Sequence, residues 1–307
     1  MGTPEFAVGI LDSIVGAGYE VAGVVTAPDK PAGRGQKVRF SAVKEFAVAN
    51  GLPVLQPLNL KDPQFLAELA SLRANLQVVV AFRMLPAAVW QMPQLGTFNL
   101  HASLLPQYRG AAPINWAIIN GENKTGVTTF FIDDKIDTGA IILKKETPIS
   151  PDQDLGSLHD RLMELGSSAV VETLALIETG NANPVLQQDS AELKTATKLN
   201  RENTRIDFNR PVNEIRNLVR GLSPYPTAWT NIHDQGTDYA VKIYSANAEL
   251  QNHSLPVGTI ITEGRRMRVA ASDGFVDITD LQFPGKKRLS AKDFLNGYPL
   301  SPAARAN

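Results

Sequence analysis

Residues 76–81, Leu-Gln-Val-Val-Val-Ala, are a near-continuous apolar run. A strand needs such a run when helices cover both faces of its sheet, as in parallel α/β sheets. The flanking chain has the matching rhythm. Strands are expected at 20–25, 53–55, 97–101, 126–131 and 141–145, and helices at about 4–17, 41–50, 62–72, 113–120 and 155–179. In the last helix Leu158, Leu162, Leu165, Ala169 and Leu174 recur near a 3.6 period, and Gly180 suits its C-cap. This alternation predicts a Rossmann-like, mostly parallel sheet with helices on both faces over 1–182. A polar linker is expected at 183–204. Beyond it the rhythm changes: a helix at 212–221, then short strands at 228–232, 241–248, 258–262, 267–271 and 276–281. Turn residues at such close spacing predict a small OB-like β-barrel over 205–307.

Composition removes several classes of function. The chain of 307 residues has no cysteine, so disulfides, thiolate zinc sites and cysteine nucleophiles are excluded. His101, His159, His233 and His253 are scattered and no His-Glu-x-x-His occurs, so no metal is expected. No apolar run approaches the ~18 residues a membrane span requires, and a cytoplasmic protein without membrane contact is expected. The net charge of −1 hides an asymmetry. Residues 200–307 carry 14 basic and 11 acidic side chains, a balance of +3, and the remainder 16 and 20, a balance of −4. A positive second domain permits contact with nucleic acid.

Gly16-Ala17-Gly18 resembles the start of a dinucleotide fingerprint, but position 21 is Val and the segment follows a helix rather than a strand. It reads as a helix C-cap. Residues 30–44 carry Lys30, Arg34, Lys37, Arg39 and Lys44 with no acid, and most of that run falls in a long polar segment, 27–41, between a strand and a helix. Such connections usually span 2–6 residues. A solvated charged face explains charge alone; length together with uniform sign favours contact with a phosphate backbone.

Asn99 and His101 stand two apart at the end of the expected strand 97–101, hence on one face. The strand runs out toward Pro106 and Gly110, and open α/β sheets build ligand sites at such carboxyl ends. Asp137 follows in Lys-Ile-Asp-Thr-Gly. Taken singly, these are a core histidine, a turn former and a cap. Together they supply an amide and an imidazole for a tetrahedral oxyanion, a group that exchanges protons near neutral pH, and a carboxylate to orient it. No serine or cysteine nucleophile is implied, so direct acyl-type transfer to an external amine is expected.

At these residues the chain resembles the folate-dependent formyltransferases, and within them the family that formylates methionyl-tRNA. The resemblance runs through Met1-Gly2-Thr3-Pro4-Glu5-Phe6-Ala7-Val8, Pro28 to Gly35, Val78 to Phe82, Asn99 to Pro113, Thr125-Gly126-Val127-Thr128, Asp137-Thr138-Gly139, Arg205-Ile206-Asp207-Phe208 and Pro224-Tyr225-Pro226. It implies Asn99, His101 and Asp137 as the catalytic set. It implies a tetrahydrofolate site from Ser103, Leu104, Leu105 and Pro106 with Phe82, Met84 and Leu85. Arg34, Lys37 and Arg39 are implied as tRNA contacts. The donor is then 10-formyltetrahydrofolate, the acceptor initiator methionyl-tRNA, and the expected state a monomer. The implied first domain is catalytic; the implied barrel helps hold the tRNA.

Relatives carry about ten residues ahead of the Gly-Thr-Pro-Glu turn, forming the first, central strand. That strand is expected to be missing here, from truncation or a misassigned start. Asn115-Trp116-Ala117 and Asn120-Gly121-Glu122 also resemble the amino-sugar nucleotide N-formyltransferases, which would not need the basic segment. A nucleic-acid-binding protein without catalysis is the reading from a different class.

Overall fold

Ser41 and Asp62 begin two helices for the reason their side chains predict. The Ser41 hydroxyl accepts the Lys44 N–H at the head of the helix Ala42–Ala49, and the Asp62 carboxylate accepts the Gln64 N–H ahead of Pro63–Ser71, with Pro63 at the first helical position. The computed structural model describes residues 1–32 and 37–307. It divides into two units: Met1–Pro113, Thr125–Thr147 and His159–Thr195 form one, and Ile114–Lys124, Pro148–Leu158 and Ala196–Asn307 the other.

In the first unit the strand Gln77–Val80 pairs in parallel with Thr97–His101, which pairs antiparallel with Lys124–Phe131, and Ile141–Pro148 lies beyond. A second parallel pair is Val24–Val25 with Val54–Leu55. Met1 and Gly2 join the two parts. Gly2 N–H donates to Val25 O at 3.1 Å, and Val80 N–H donates to Met1 O at 2.9 Å. Gly2 bridges Val80 in the parallel sense. The sheet is thus parallel through its first part and turns antiparallel after Thr97–His101. One core gathers Val25, Leu60, Phe65, Leu69, Val79, Leu85 and Val89 beside this sheet.

Two polar segments carry strand pairing that the sequence reading does not expect. The polar stretch after Thr26 is not all loop: Lys30–Ala32 and Lys37–Arg39 pair as an antiparallel ribbon. The segment after the helix Leu155–Glu178 is not all linker. Val185 and Ile141 exchange both backbone hydrogen bonds, at 2.8 Å each, so this polar stretch is tied to the sheet. Neither feature has an apolar period, which is why pattern reading passes over it.

In the second unit the antiparallel strands run in the order Ile260–Ile261, Met267–Ala270, Gly274–Gln282, Thr237–Leu250, Ala228–Asp234 and Arg305–Ala306. Thr259 bridges Arg305, and Ala306 N–H donates to Gly258 O at 2.8 Å, so the last strand returns to the first and nearly closes a barrel. Gly258 has φ +83°, and a Cβ there would lie 2.1 Å from Ala306 O; only glycine permits this closure. The helix Val212–Leu222 plugs the barrel with Val212, Ile215, Val219 and Leu222, spaced three or four apart. Among the described residues no helix is long and apolar enough to cross a membrane.

Candidate active site

The strand Thr97–His101 sets His101 opposite Thr128 and Asn99 opposite Phe130. Alternation gives Asn99 and His101 one face; Phe98 and Leu100, on the other, are buried in the core. His101 is itself only 6% exposed, and Asn99 is half-buried.

The chain then turns through a pinned loop. Thr128 Oγ1 donates to Ser103 O at 2.7 Å and accepts the Leu105 N–H at 3.1 Å. Ser103 Oγ donates to Gln107 O at 2.6 Å. The Leu105–Pro106 peptide is cis, and Tyr108 adopts φ +61°. These turns bring the Tyr108 carbonyl back to His101 Nε2, at 2.8 Å. A carbonyl only accepts, so Nε2 carries the hydrogen. Nδ1 is the nitrogen left for proton exchange. It faces Asp137 Oδ2 at 3.9 Å. That exceeds hydrogen-bond length, so the pair interacts through charge when the ring is protonated, and does so inside protein where screening is weak. Asp137 Oδ2 also accepts the Gly110 N–H at 2.9 Å.

Asp137 stands in a tight loop after Lys124–Phe131. Asp133 Oδ1 accepts from the Lys135 N–H at 3.0 Å and from Thr138 Oγ1 at 2.8 Å. Asp137 adopts φ +56°, a conformation Asp tolerates better than most residues. Two residues on, a Cβ at position 139 would lie 1.6 Å from Phe131 O, so Gly139 is required for the loop to fold back on its strand.

Sequence reasoning missed what holds this loop. Gln187 Nε2 donates to Asp137 O and Gly139 O, both at 2.9 Å. Gln187 lies in a stretch without periodicity, and nothing in the sequence marks it.

The remaining predicted residues fall in different places. Ser103 and Leu105 bury their side chains completely; Leu104 and Pro106 are half-buried. Leu85 is buried in the core of the first unit, and Phe82 packs against the same core. Met84 is 68% exposed. Lys37 and Arg39 belong to one strand of the ribbon, and Arg34 lies outside the described residues. Lys44, counted in the basic run, has its charge matched instead. Its Nζ is 2.5 Å from Asp29 Oδ2 and 4.0 Å from the Phe40 ring centroid. Hydrogen bonds from Gln56 and then from Lys44 hold the Asp29 carboxyl below its usual value.

Residues 1–174 match the formyl transferase family model, and 198–299 match the model of the formyl transferase C-terminal domain. The methionyl-tRNA formyltransferase of Flavobacterium johnsoniae is 59% identical over 305 residues, covering 99% of this chain and 97% of the relative. That of Bacteroides thetaiotaomicron is 50% identical over 312 residues, covering 100% and 97%. Among solved structures, WlaRD, a sugar 3N-formyl transferase, superposes with a TM-score of 0.64 at 22% identity, over 93% of this chain and 97% of that one. This last likeness is one of fold. With both domain models matched in order and full-length relatives at half identity or more, the chain belongs to the formyl transferase family.

Proposed function

We propose that this chain transfers the formyl group of 10-formyltetrahydrofolate to the α-amine of initiator methionyl-tRNA, serving translation initiation. The observation that carries the reading is likeness over essentially the whole chain to relatives that bear the name methionyl-tRNA formyltransferase. The geometry at the end of Thr97–His101 supplies a chemistry for it.

The amine nitrogen attacks the formyl carbon, and the carbonyl π pair moves onto oxygen. Asn99 and protonated His101 stabilise that oxyanion. Nδ1 is the nitrogen that acts, because Nε2–H is held by the Tyr108 carbonyl. When the tetrahedral centre collapses, the bond to folate N10 breaks, His101 gives N10 a proton, and the amine nitrogen returns one to His101. Asp137 orients the ring and balances its charge across the 3.9 Å gap. Ser103 to Pro106, with Phe82, Met84 and Leu85, form the folate side of the site. Since Ser103, Leu105 and Leu85 bury their side chains, these three shape the wall and the accessible groups make the contact. Arg34, Lys37 and Arg39 meet the acceptor end of the tRNA, and the barrel, with its positive balance, holds the rest. The protein acts in the cytoplasm as a monomer.

An amino-sugar nucleotide acceptor is the second reading; Asn115-Trp116-Ala117 and Asn120-Gly121-Glu122 support it, and the likeness to WlaRD adds only the shared fold. The test offers the protein 10-formyltetrahydrofolate with charged initiator methionyl-tRNA, and separately with amino-sugar nucleotides. Formyl-methionyl-tRNA as the product is the expected result. Formylated sugar with untouched tRNA would transfer the reading to the second acceptor, and folate binding without either product would make the chain a binder.

A further inference from the structure

Three consecutive residues, Tyr108, Arg109 and Gly110, reach both ionisable members of the site. The Tyr108 carbonyl takes the His101 Nε2–H, and the Gly110 N–H is donated to the Asp137 carboxylate. Arg109, between them, reaches Asp137 through Gln187. Its Nε and Nη2 donate to Gln187 Oε1 at 3.1 and 2.8 Å, and its Nη1 pairs with Asp189 Oδ1 at 2.7 Å. Gln187 then passes its two N–H bonds to the carbonyls of Asp137 and Gly139.

This network permits one side-chain type at position 187. Arg109 offers only donors and the two carbonyls only accept, so the group between them must accept on one atom and donate twice from another. A primary amide does so; a carboxylate of the same shape cannot. The amide's orientation is fixed by the same logic. The segment bearing it is braced twice. Val185 pairs with Ile141, and the Lys194 carbonyl takes the Tyr108 N–H at 2.7 Å. Asp137 needs such support, because it adopts φ +56° in a loop and its carboxylate stands 3.9 Å from the ring it orients. A change of about 1 Å in such a placement costs on the order of 10²-fold in rate.

We infer that Gln187 is a positioning residue: its amide, locked by Arg109, fixes the backbone of Asp137 and so sets the carboxylate against His101 and Gly110. This rests on the formyl-transfer reading, and its test separates the two. Formylation kinetics are measured for the parent chain, Gln187→Ala, Gln187→Glu, Asp137→Asn and the double variant Asp137→Asn with Gln187→Ala. The parent rate alone decides the reading. For the inference, Gln187→Ala and Gln187→Glu should each lower kcat about 10- to 100-fold, with KM for both substrates and Tm near parent values. In the Asp137→Asn background, Gln187→Ala should change kcat by less than about twofold, because the carboxylate it serves is already gone. Equal fold-losses in both backgrounds, or Gln187→Glu at the parent rate, would overturn it. A crystal structure of Gln187→Glu decides independently of activity. Displacement of Asp137 from the Gly110 N–H is expected; an unmoved Asp137 would sink the proposal, and so would a Gln187→Ala loss confined to Tm.

Discussion

His101 shows how far a residue's role follows from its neighbours' donors and acceptors. The tyrosine carbonyl on Nε2 leaves Nδ1 as the working nitrogen, and Asp137 stands off that nitrogen. His101→Ala and Asp137→Ala should therefore each lower kcat at least ~100-fold, the usual scale for a proton-transfer group. Asn99→Ala should cost about 10²–10³-fold by removing the oxyanion donor. Steady-state formylation with folded variants checks all three, and near-parental turnover in any of them removes that residue from the proposed set. That Asn99 and His101 share a face was legible from their two-residue spacing, whereas Asp137 was named by residue type alone and only the fold brings its carboxylate to the His101 ring. Gln187 was not legible, because its role comes from two carbonyls fifty residues earlier in the chain that only tertiary structure brings near. Ser103 and Leu105 divide differently: the motif was legible, but which of its side chains face inward was not.

Elements were legible where periodicity is strong. The strand Thr97–His101 has the expected bounds, and Leu155–Glu178 ends one residue short of the expected helix. Others depend on partners that local sequence does not name. The helix Val212–Leu222 begins after Pro211, which has no capping side chain, and its first N–H finds Asp273 Oδ1 at 2.8 Å. No local signal announces a cap supplied from sixty-one residues away. The basic ribbon is the element with a prediction of its own. Asp29 neutralises Lys44 in the helix that follows, and the side chains proposed to meet the tRNA are Arg34, Lys37 and Arg39. Replacing each by Ala should raise KM for the tRNA and leave KM for the folate donor unchanged. The slope of log KM against log salt should also become shallower by about 0.7–0.9 for every phosphate-binding side chain removed. The measurement is a salt titration of formylation for the three single variants and the triple variant. A triple variant with the parent slope would show that these three side chains do not meet the tRNA.

At the scale of the whole molecule, charge is divided between the domains while the anchoring carboxylates are shared out. The first unit has Asp29, bonded by Gln56 Nε2 at 2.8 Å and by Lys44. The second has Asp207, whose Oδ1 accepts the Asn209 N–H at 3.0 Å and its Nδ2–H at 2.8 Å. Each carboxyl is held below the ordinary 3.8, Asp29 chiefly by Gln56 and Asp207 chiefly by the Asn209 backbone. The sign follows directly. The folded state binds fewer protons at these groups than the unfolded chain, so their stabilisation is fully present above the unfolded value and disappears as pH falls through the folded one. Both groups face water, so screening keeps each contribution modest. Calorimetric melts from pH 7 to pH 3 should therefore stay nearly level to about pH 5 and then decline. Asp29→Asn should flatten the acid decline of the first unit alone, and Asp207→Asn that of the second, because each group is bonded within its own unit. Two variants that keep the parent's acid slope would assign that decline to other carboxylates. A variant that flattened the decline of both units at once would show that the units melt as one cooperative body.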